Sequence, residues 1–168
     1  MIHVCSLAAL HPTVETTGAR HILTVMADVS QVQTPLSVLA ANHLRIAMDD
    51  ITEPADGFVA PCEEHIVTLL DFVRRWDRAA PLVIHCYAGI SRSTASAFVT
   101  ACALNPERDE MVIARQIREA SVTAYPNRRI VALADKALGR DGRMLRALDA
   151  IGPGNLTVEG RPFRVTLD

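Results

Sequence analysis

No run of about 18 consecutive apolar residues occurs in this chain, which excludes a membrane-spanning helix by length alone. Lysine is nearly missing: arginine supplies sixteen of the seventeen basic residues, Lys136 being the exception. The formal net charge is only -2, so no global field draws nucleic acid or an anionic membrane. Any anion must be held by individual arginines. The four cysteines (Cys5, Cys62, Cys86, Cys102) show no paired spacing and hence no disulfide framework. Cys62-x-x-His65 and His85-Cys86 raise the question of a metal, but no second Cys/His pair stands at ligand spacing, and neither metal nor cofactor is expected. The N-terminus lacks the positive stretch of a secretory signal, and its short apolar run soon meets His11-Pro12. A reduced thiol protein of the cytoplasm fits these absences. Repeats and low-complexity tracts are lacking too. Nothing in the sequence fixes an oligomeric state.

What is present suits one compact domain: 168 residues, 49% hydrophobic, enough to bury a real core. Ile2 to Leu10 reads as a first strand, Thr13 to Thr17 as a brief helical turn ended by Gly18, and Arg20 to Met26 as a second strand buried on both faces. Asn42 to Met48 alternates as a third strand and runs into an acidic loop carrying Asp49, Asp50, Glu53 and Asp56, with Pro54 and Gly57 marking it as exposed. Pro61 to Asp77 repeats Ile66, Leu69, Leu70, Val73 and Trp76 at helical spacing, with Glu63 and Glu64 in the first turn and arginines near the end. Thr94 to Leu104 is rich in small residues, as a helix enclosed by protein requires. Asn105-Pro106-Glu107 reads as the start of a helix running to Ala120. Pro126-Asn127 begins another, with Gly139 as its stop, and Arg143 to Ile151 forms a last short one. Strands alternating with helices predict an α/β fold: a single domain with a mostly parallel sheet of about four or five strands flanked by helices. That domain spans 1–150. The tail, 151–168, reads equally as an edge strand or a loosely attached arm.

The chemistry concentrates in Leu82-Val83-Ile84-His85-Cys86-Tyr87-Ala88-Gly89-Ile90-Ser91-Arg92-Ser93. A β-branched run ends in His85-Cys86, five residues follow, and Arg92-Ser93 opens a helix. A loop at a helix N-terminus gathers backbone N–H groups and the positive end of the helix dipole, and so collects an anion. Such a nest favours a thiolate at Cys86. The same donors fit phosphate oxygens, two of them within the fork of Arg92.

His85-Cys86-(five residues)-Arg92-Ser93 resembles the signature of the cysteine-dependent protein tyrosine phosphatase superfamily, closest to its small dual-specificity-like branch. The resemblance covers roughly residues 1–138. It implies that Cys86 attacks phosphorus to form a cysteinyl-phosphate, that Arg92 and the amides of Tyr87, Ala88, Gly89, Ile90 and Ser91 bind the phosphoryl oxygens, and that Ser93 eases breakdown of the intermediate. His85 would orient the loop through backbone hydrogen bonds. The leaving oxygen needs a proton from a positioned acid. Aligning Leu44 and Ile46 with the family's strand before the acid puts Asp50 in that position, with Asp49 and Asp56 as alternatives. Asn127 matches a Pro-Asn pair that supports the loop in many relatives, and local helix capping explains it equally well.

The resemblance implies a phosphomonoester hydrolase acting on phosphotyrosine, and on phosphoserine or phosphothreonine as well if the pocket is shallow. The expected partner is a phosphorylated protein or a small phosphoester, with neither nucleic acid nor membrane involved. The loop interior has no Lys or Arg, unlike superfamily members that act on inositides. Alternatives are a non-catalytic phospho-binding pseudophosphatase, a phosphatase of non-protein phosphoesters, and a rhodanese-like sulfurtransferase or arsenate reductase. The last two are disfavoured by loop length and by His85 and Ser93.

Overall fold

The structure is a computed structural model describing residues 1–167; the end of the tail, Asp168, lies outside the described residues. Five strands form one sheet: β1 (Ile2–Ser6), β2 (His21–Met26), β3 (His43–Ala47), β4 (Leu82–Cys86) and β5 (Phe163–Val165). Their order is β3-β2-β4-β1-β5, the first four parallel and β5 antiparallel to β1. The helices are α1 (Leu10–Thr17), α2 (Glu63–Arg75), α3 (Arg92–Leu104), α4 (Glu110–Ala120), α5 (Arg128–Ala137) and α6 (Arg143–Ile151). This is the single-domain, mostly parallel α/β architecture that the sequence predicts.

The two faces of the sheet are unequal. Side chains alternate along each strand, so Ile2, Val4, Leu23, Val25, Ile46, Leu82 and Ile84 share one cluster with α2 to α6. Cys5, Ile22, Met26 and Val83 share the other with α1 and with Val32 and Val38. At about 1.5–3 kcal/mol for each large side chain taken out of water, the five-helix face carries most of the stability. Its centre is α3, buried from Arg92 through Cys102, which accounts for its small residues. Trp76, 3% exposed, packs in the same core and donates its Nε1–H to Ala80 O at 2.9 Å.

Several boundaries differ from the sequence reading. β1 stops at Ser6, and α1 already starts at Leu10, with Pro12 in the first turn, where its missing N–H costs nothing. α4 starts at Glu110: Asn105 to Arg108 close a turn (Arg108 N to Asn105 O, 3.1 Å), and Asp109 caps the helix by accepting from Met111 N at 2.6 Å. The tail is an edge strand: β5 pairs with β1, and Val165 is fully buried. Cys62 and His65 take part in a helix start, Cys62 N donating to His65 Nδ1 at 3.3 Å.

Candidate active site

β4 lies between β2 and β1, so the loop leaving its carboxyl end emerges at the middle of the sheet, where crevices of open α/β sheets form. That loop runs from Cys86 to Arg92, and α3 begins at Arg92 itself. Its carbonyls are turned outward and held. Cys86 O accepts from His85 Nδ1 at 3.4 Å, Tyr87 O from Leu7 N at 3.1 Å, and Ala88 O from Gly160 N at 2.9 Å. Ile90 O accepts from Tyr125 N at 2.9 Å, and Ser91 O from Ala95 N at 3.0 Å and Asn127 N at 3.3 Å. A trans peptide whose C=O is held outward points its N–H the other way. The ring of amides therefore faces inward. Gly89 is required here on two counts: its φ is +72°, and a Cβ would stand 2.8 Å from Cys5 C and Ser6 N of the neighbouring strand.

Cys86 sits within this ring, 2% exposed, its sulfur 3.3 Å from Gly89 N and 3.1 Å from Ser93 Oγ. Ser93 is not the helix N-cap. That position is Ser91, whose hydroxyl donates instead to Asp50 Oδ1 at 2.7 Å. Burial pushes the thiols of Cys5 and Cys102 up to about 12.

Arg92 is buried and anchored by Nη1 to Met48 O at 2.9 Å. Its Nε has no hydrogen-bond partner among the described residues and lies 3.9 Å from Asp50 Oδ2. A buried guanidinium held at one end with a free donor at the other is prepared for an anion.

Asp50 hangs over this donor from the loop after β3. Ser91 Oγ and Asn127 Nδ2 (2.8 Å) both donate to its Oδ1. Asn127 Oδ1 caps α5, accepting from Arg129 N at 3.0 Å and Ile130 N at 3.1 Å, while its amide nitrogen donates to Asp50. Asp49 turns away, its Oδ2 accepting from Val59 N at 2.7 Å to close the loop, and Glu53 and Asp56 are exposed. The structure thus brings together Cys86, Gly89, Ser91, Arg92, Ser93, Asp50 and Asn127. Tyr87 projects into solvent beside them.

Two hollows flank the loop. One, about 570 Å³, is bounded by Asp50, Ile51, Ser91, Tyr125 and Asn127. The other, about 240 Å³, lies between Leu7, Tyr87, Ala88, Val158 and Glu159. Near the first, Arg128 pairs with Asp149, and Arg129 spends its Nε on Pro61 O at 2.6 Å and its Nη1 on Thr52 O at 3.3 Å.

Sequence reasoning missed a buried polar row on the α1 face: Thr24, His43 and His85, hydrogen-bonded side by side on neighbouring strands. Burial holds His85 down to about 4 and His43 to about 3, so both rings are neutral. The signal was available in His43 and Arg45, polar residues alternating on a strand of a sheet covered on both faces. Gly160, in the tail, was missed as well; only the fold brings it to Ala88.

Residues 49–129 match the family model of the protein-tyrosine phosphatases. No curated protein matches the chain in sequence. Among solved structures it is similar to DUSP15 (14% identity, 89% of each chain covered, TM-score 0.66). It is also similar to PTP-2 phosphatase of Cydia pomonella (18%, 80% of this chain and 84% of that one, 0.62). A third is PTPMT1, solved in complex with PI(5)P (12%, 88% and 94%, 0.63). At such identities the shared feature is the fold. In sequence the chain is similar to the protein-tyrosine phosphatases over residues 49–129, just under half of its length. Its fold is that of the dual-specificity-like members.

Among the described residues, no helix is long and apolar enough to cross a membrane.

Proposed function

We propose that the chain is a cysteine-dependent phosphomonoester hydrolase acting on phosphoprotein, on phosphotyrosine first and on phosphoserine or phosphothreonine where the cleft admits them. The observation that carries this reading is the placement of the Cys86 sulfur inside a ring of inward amides, with Ser93 Oγ at 3.1 Å and the free Nε of Arg92 at the end of the same loop.

In the first step the Cys86 thiolate attacks phosphorus in line: the S–P bond forms as the bond to the leaving oxygen breaks. Arg92 and the amides hold the three equatorial oxygens. Asp50, steadied by Ser91 and Asn127, gives its proton to the departing oxygen. In the second step Asp50 takes a proton from water, the water oxygen joins phosphorus, and the S–P bond breaks. Ser93 donates to the sulfur as its charge returns. Inorganic phosphate then leaves, and the thiolate is restored.

The distribution of arginine supports a substrate with a single phosphate. Arg92 is the cation of the loop, while Arg128 and Arg129 are engaged by Asp149, Pro61 and Thr52. A headgroup with several phosphates would meet the carboxylates of Asp50 and Glu53 at the rim, where the one arginine, Arg128, is already paired with Asp149.

The test is metal-free hydrolysis of an aryl phosphate with and without Cys86→Ser. Loss of at least about a thousandfold is expected, as for removal of a covalent nucleophile. Turnover that survives the substitution, or phosphopeptide binding without any turnover by the unsubstituted protein, rejects the reading.

A further inference from the structure

The polar row beneath the sheet is longer than its buried part. Arg45 Nη2 donates to Thr34 Oγ1 at 2.7 Å, and Thr34 Oγ1 lies 2.8 Å from His43 Nδ1. His43 Nε2 lies 2.8 Å from Thr24 Oγ1, which lies 2.6 Å from His85 Nε2. His85 Nδ1 reaches Cys86 O at 3.4 Å. Strand register makes this possible: Thr24 pairs with His85 on one side and with Arg45 on the other, and all three point to the face covered by α1 and the 30–38 segment.

Counting donors and acceptors leaves one arrangement. A carbonyl only accepts, so His85 must carry its hydrogen on Nδ1 and leave Nε2 bare. Nε2 then accepts the one hydroxyl proton of Thr24. With that proton used, Thr24 accepts from His43 Nε2–H, which leaves His43 Nδ1 bare to accept the proton of Thr34. Thr34, its proton used, accepts from Arg45, and an arginine only donates. Both ends are fixed by groups that act one way only, and every link between them is satisfied with none left over. The burial that keeps both rings neutral is what this count requires.

We propose that Arg45, Thr34, His43 and Thr24 are positioning residues for the phosphate loop, forming with His85 one directed chain of hydrogen bonds that ends on the Cys86 carbonyl. The chain locks the tautomer of His85. It thereby holds the carbonyl of the Cys86–Tyr87 peptide outward and the Tyr87 N–H inward, toward the oxygens the loop binds. The dipoles all point the same way, with the Arg45 charge at their head, so each link polarises the next. A contact on the third strand thus acts on the loop across two neighbouring strands without touching substrate. The inference rests on the loop being the anion nest of the proposed hydrolase.

The experiment has two arms, neither of which needs turnover. Long-range 1H–15N spectra of the intact protein at neutral pH should show His85 protonated on Nδ1 and His43 on Nε2. The opposite tautomer on either ring overturns the proposal. In the second arm, binding of inorganic phosphate is measured for Thr34→Val, which has a similar shape but no hydroxyl, and for Thr34→Ser, which keeps the hydroxyl. Thr34→Val should weaken phosphate by about three- to tenfold, the worth of one partly buried hydrogen bond, and Thr34→Ser should stay within about twofold of the unsubstituted protein. A folded Thr34→Val protein with unchanged phosphate affinity overturns it. If Thr34→Val does not fold, the tautomer spectra decide alone. Activity that persists in Cys86→Ser would defeat the hydrolase reading while leaving both of these results as they are.

Discussion

Around one loop, two regions are built by opposite means. At its root, Cys86, Arg92, Ser93 and His85 are all buried, fixed by the central strand, the first turn of α3 and the polar row behind the sheet. At its rim, Asp50, Ser91 and Tyr87 stand nearer solvent, and Asp50 and Ser91 are tied together by segments far apart in sequence: the loop after β3 and the start of α5. Root groups are held by packing, which admits one arrangement. Rim groups are held by a few hydrogen bonds, each worth about 1 kcal/mol. The root suits what must not move, the nucleophile and the oxygen-binding amides. The rim suits what must approach a variable leaving group and then release product.

Three tests of turnover sharpen this contrast, from the largest effect to the smallest, and a fourth reads stability. Arg92→Lys strikes the root. A lysine cannot both anchor on Met48 O and fork onto phosphate, so kcat should fall by about 10²–10³-fold on every substrate, whatever its leaving group. Asp50→Asn strikes the rim. It should cost about a hundredfold on alkyl phosphates, whose leaving oxygen needs a proton, and only a few fold on nitrophenyl phosphate. A plot of log kcat against leaving-group pKa separates the two: parallel displacement for the first, a steeper slope for the second. Equal losses across leaving groups in Asp50→Asn would move the acid elsewhere.

Asn127 joins both regions, and two variants take it apart. Asn127→Ala loses the cap of α5, about 1 kcal/mol in denaturant titration, together with the hold on Asp50, about tenfold in kcat. Asn127→Asp keeps the cap but sets a carboxylate against Asp50. It should therefore retain stability and lose activity, and a variant that kept both would show that the cap alone matters.

The last test reads stability instead of turnover: acid sensitivity rooted in His43 and His85. Their folded values, about 3 and about 4, lie below the ordinary histidine value of 6.5. Between 6.5 and those values the unfolded chain takes up protons that the folded chain refuses. Stability is therefore complete above pH 6.5 and declines as pH falls toward 4, by up to about 1.4 kcal/mol per pH unit for each ring. Urea titrations at pH 7.5, 6 and 5 read this slope, and His43→Gln should flatten it.

The root was legible in sequence because it is local. Strand, loop and helix follow one another from Leu82 to Leu104, and the residue types alone say where each sits. The rim was legible only in part. Asp50 could be aligned, but its two hydrogen-bond donors come from α5 and from the loop itself, and Asn127 looked like a cap because it is one. Helix starts were misread where two caps competed: Asn105-Pro106 carries the expected residues, yet the chain uses them for a turn and begins α4 at Glu110, capped by Asp109. Pro12 was read as a stop although the first turn of α1 accepts it. Thr24, Thr34, His43 and Arg45 were the hardest to see, since a hydroxyl on an apolar strand gains meaning only when its neighbours across the sheet are known.

Gly160 carries one more consequence. Its amide holds Ala88 O, and a Cβ there would lie 2.9 Å from Gly89 O, so the end of the chain is pressed against the loop made midway along it. During synthesis the loop receives this last brace only after residue 160 has left the ribosome. A protease cutting between α6 and β5 would undo the brace and leave the nucleophile in place with its scaffold loosened.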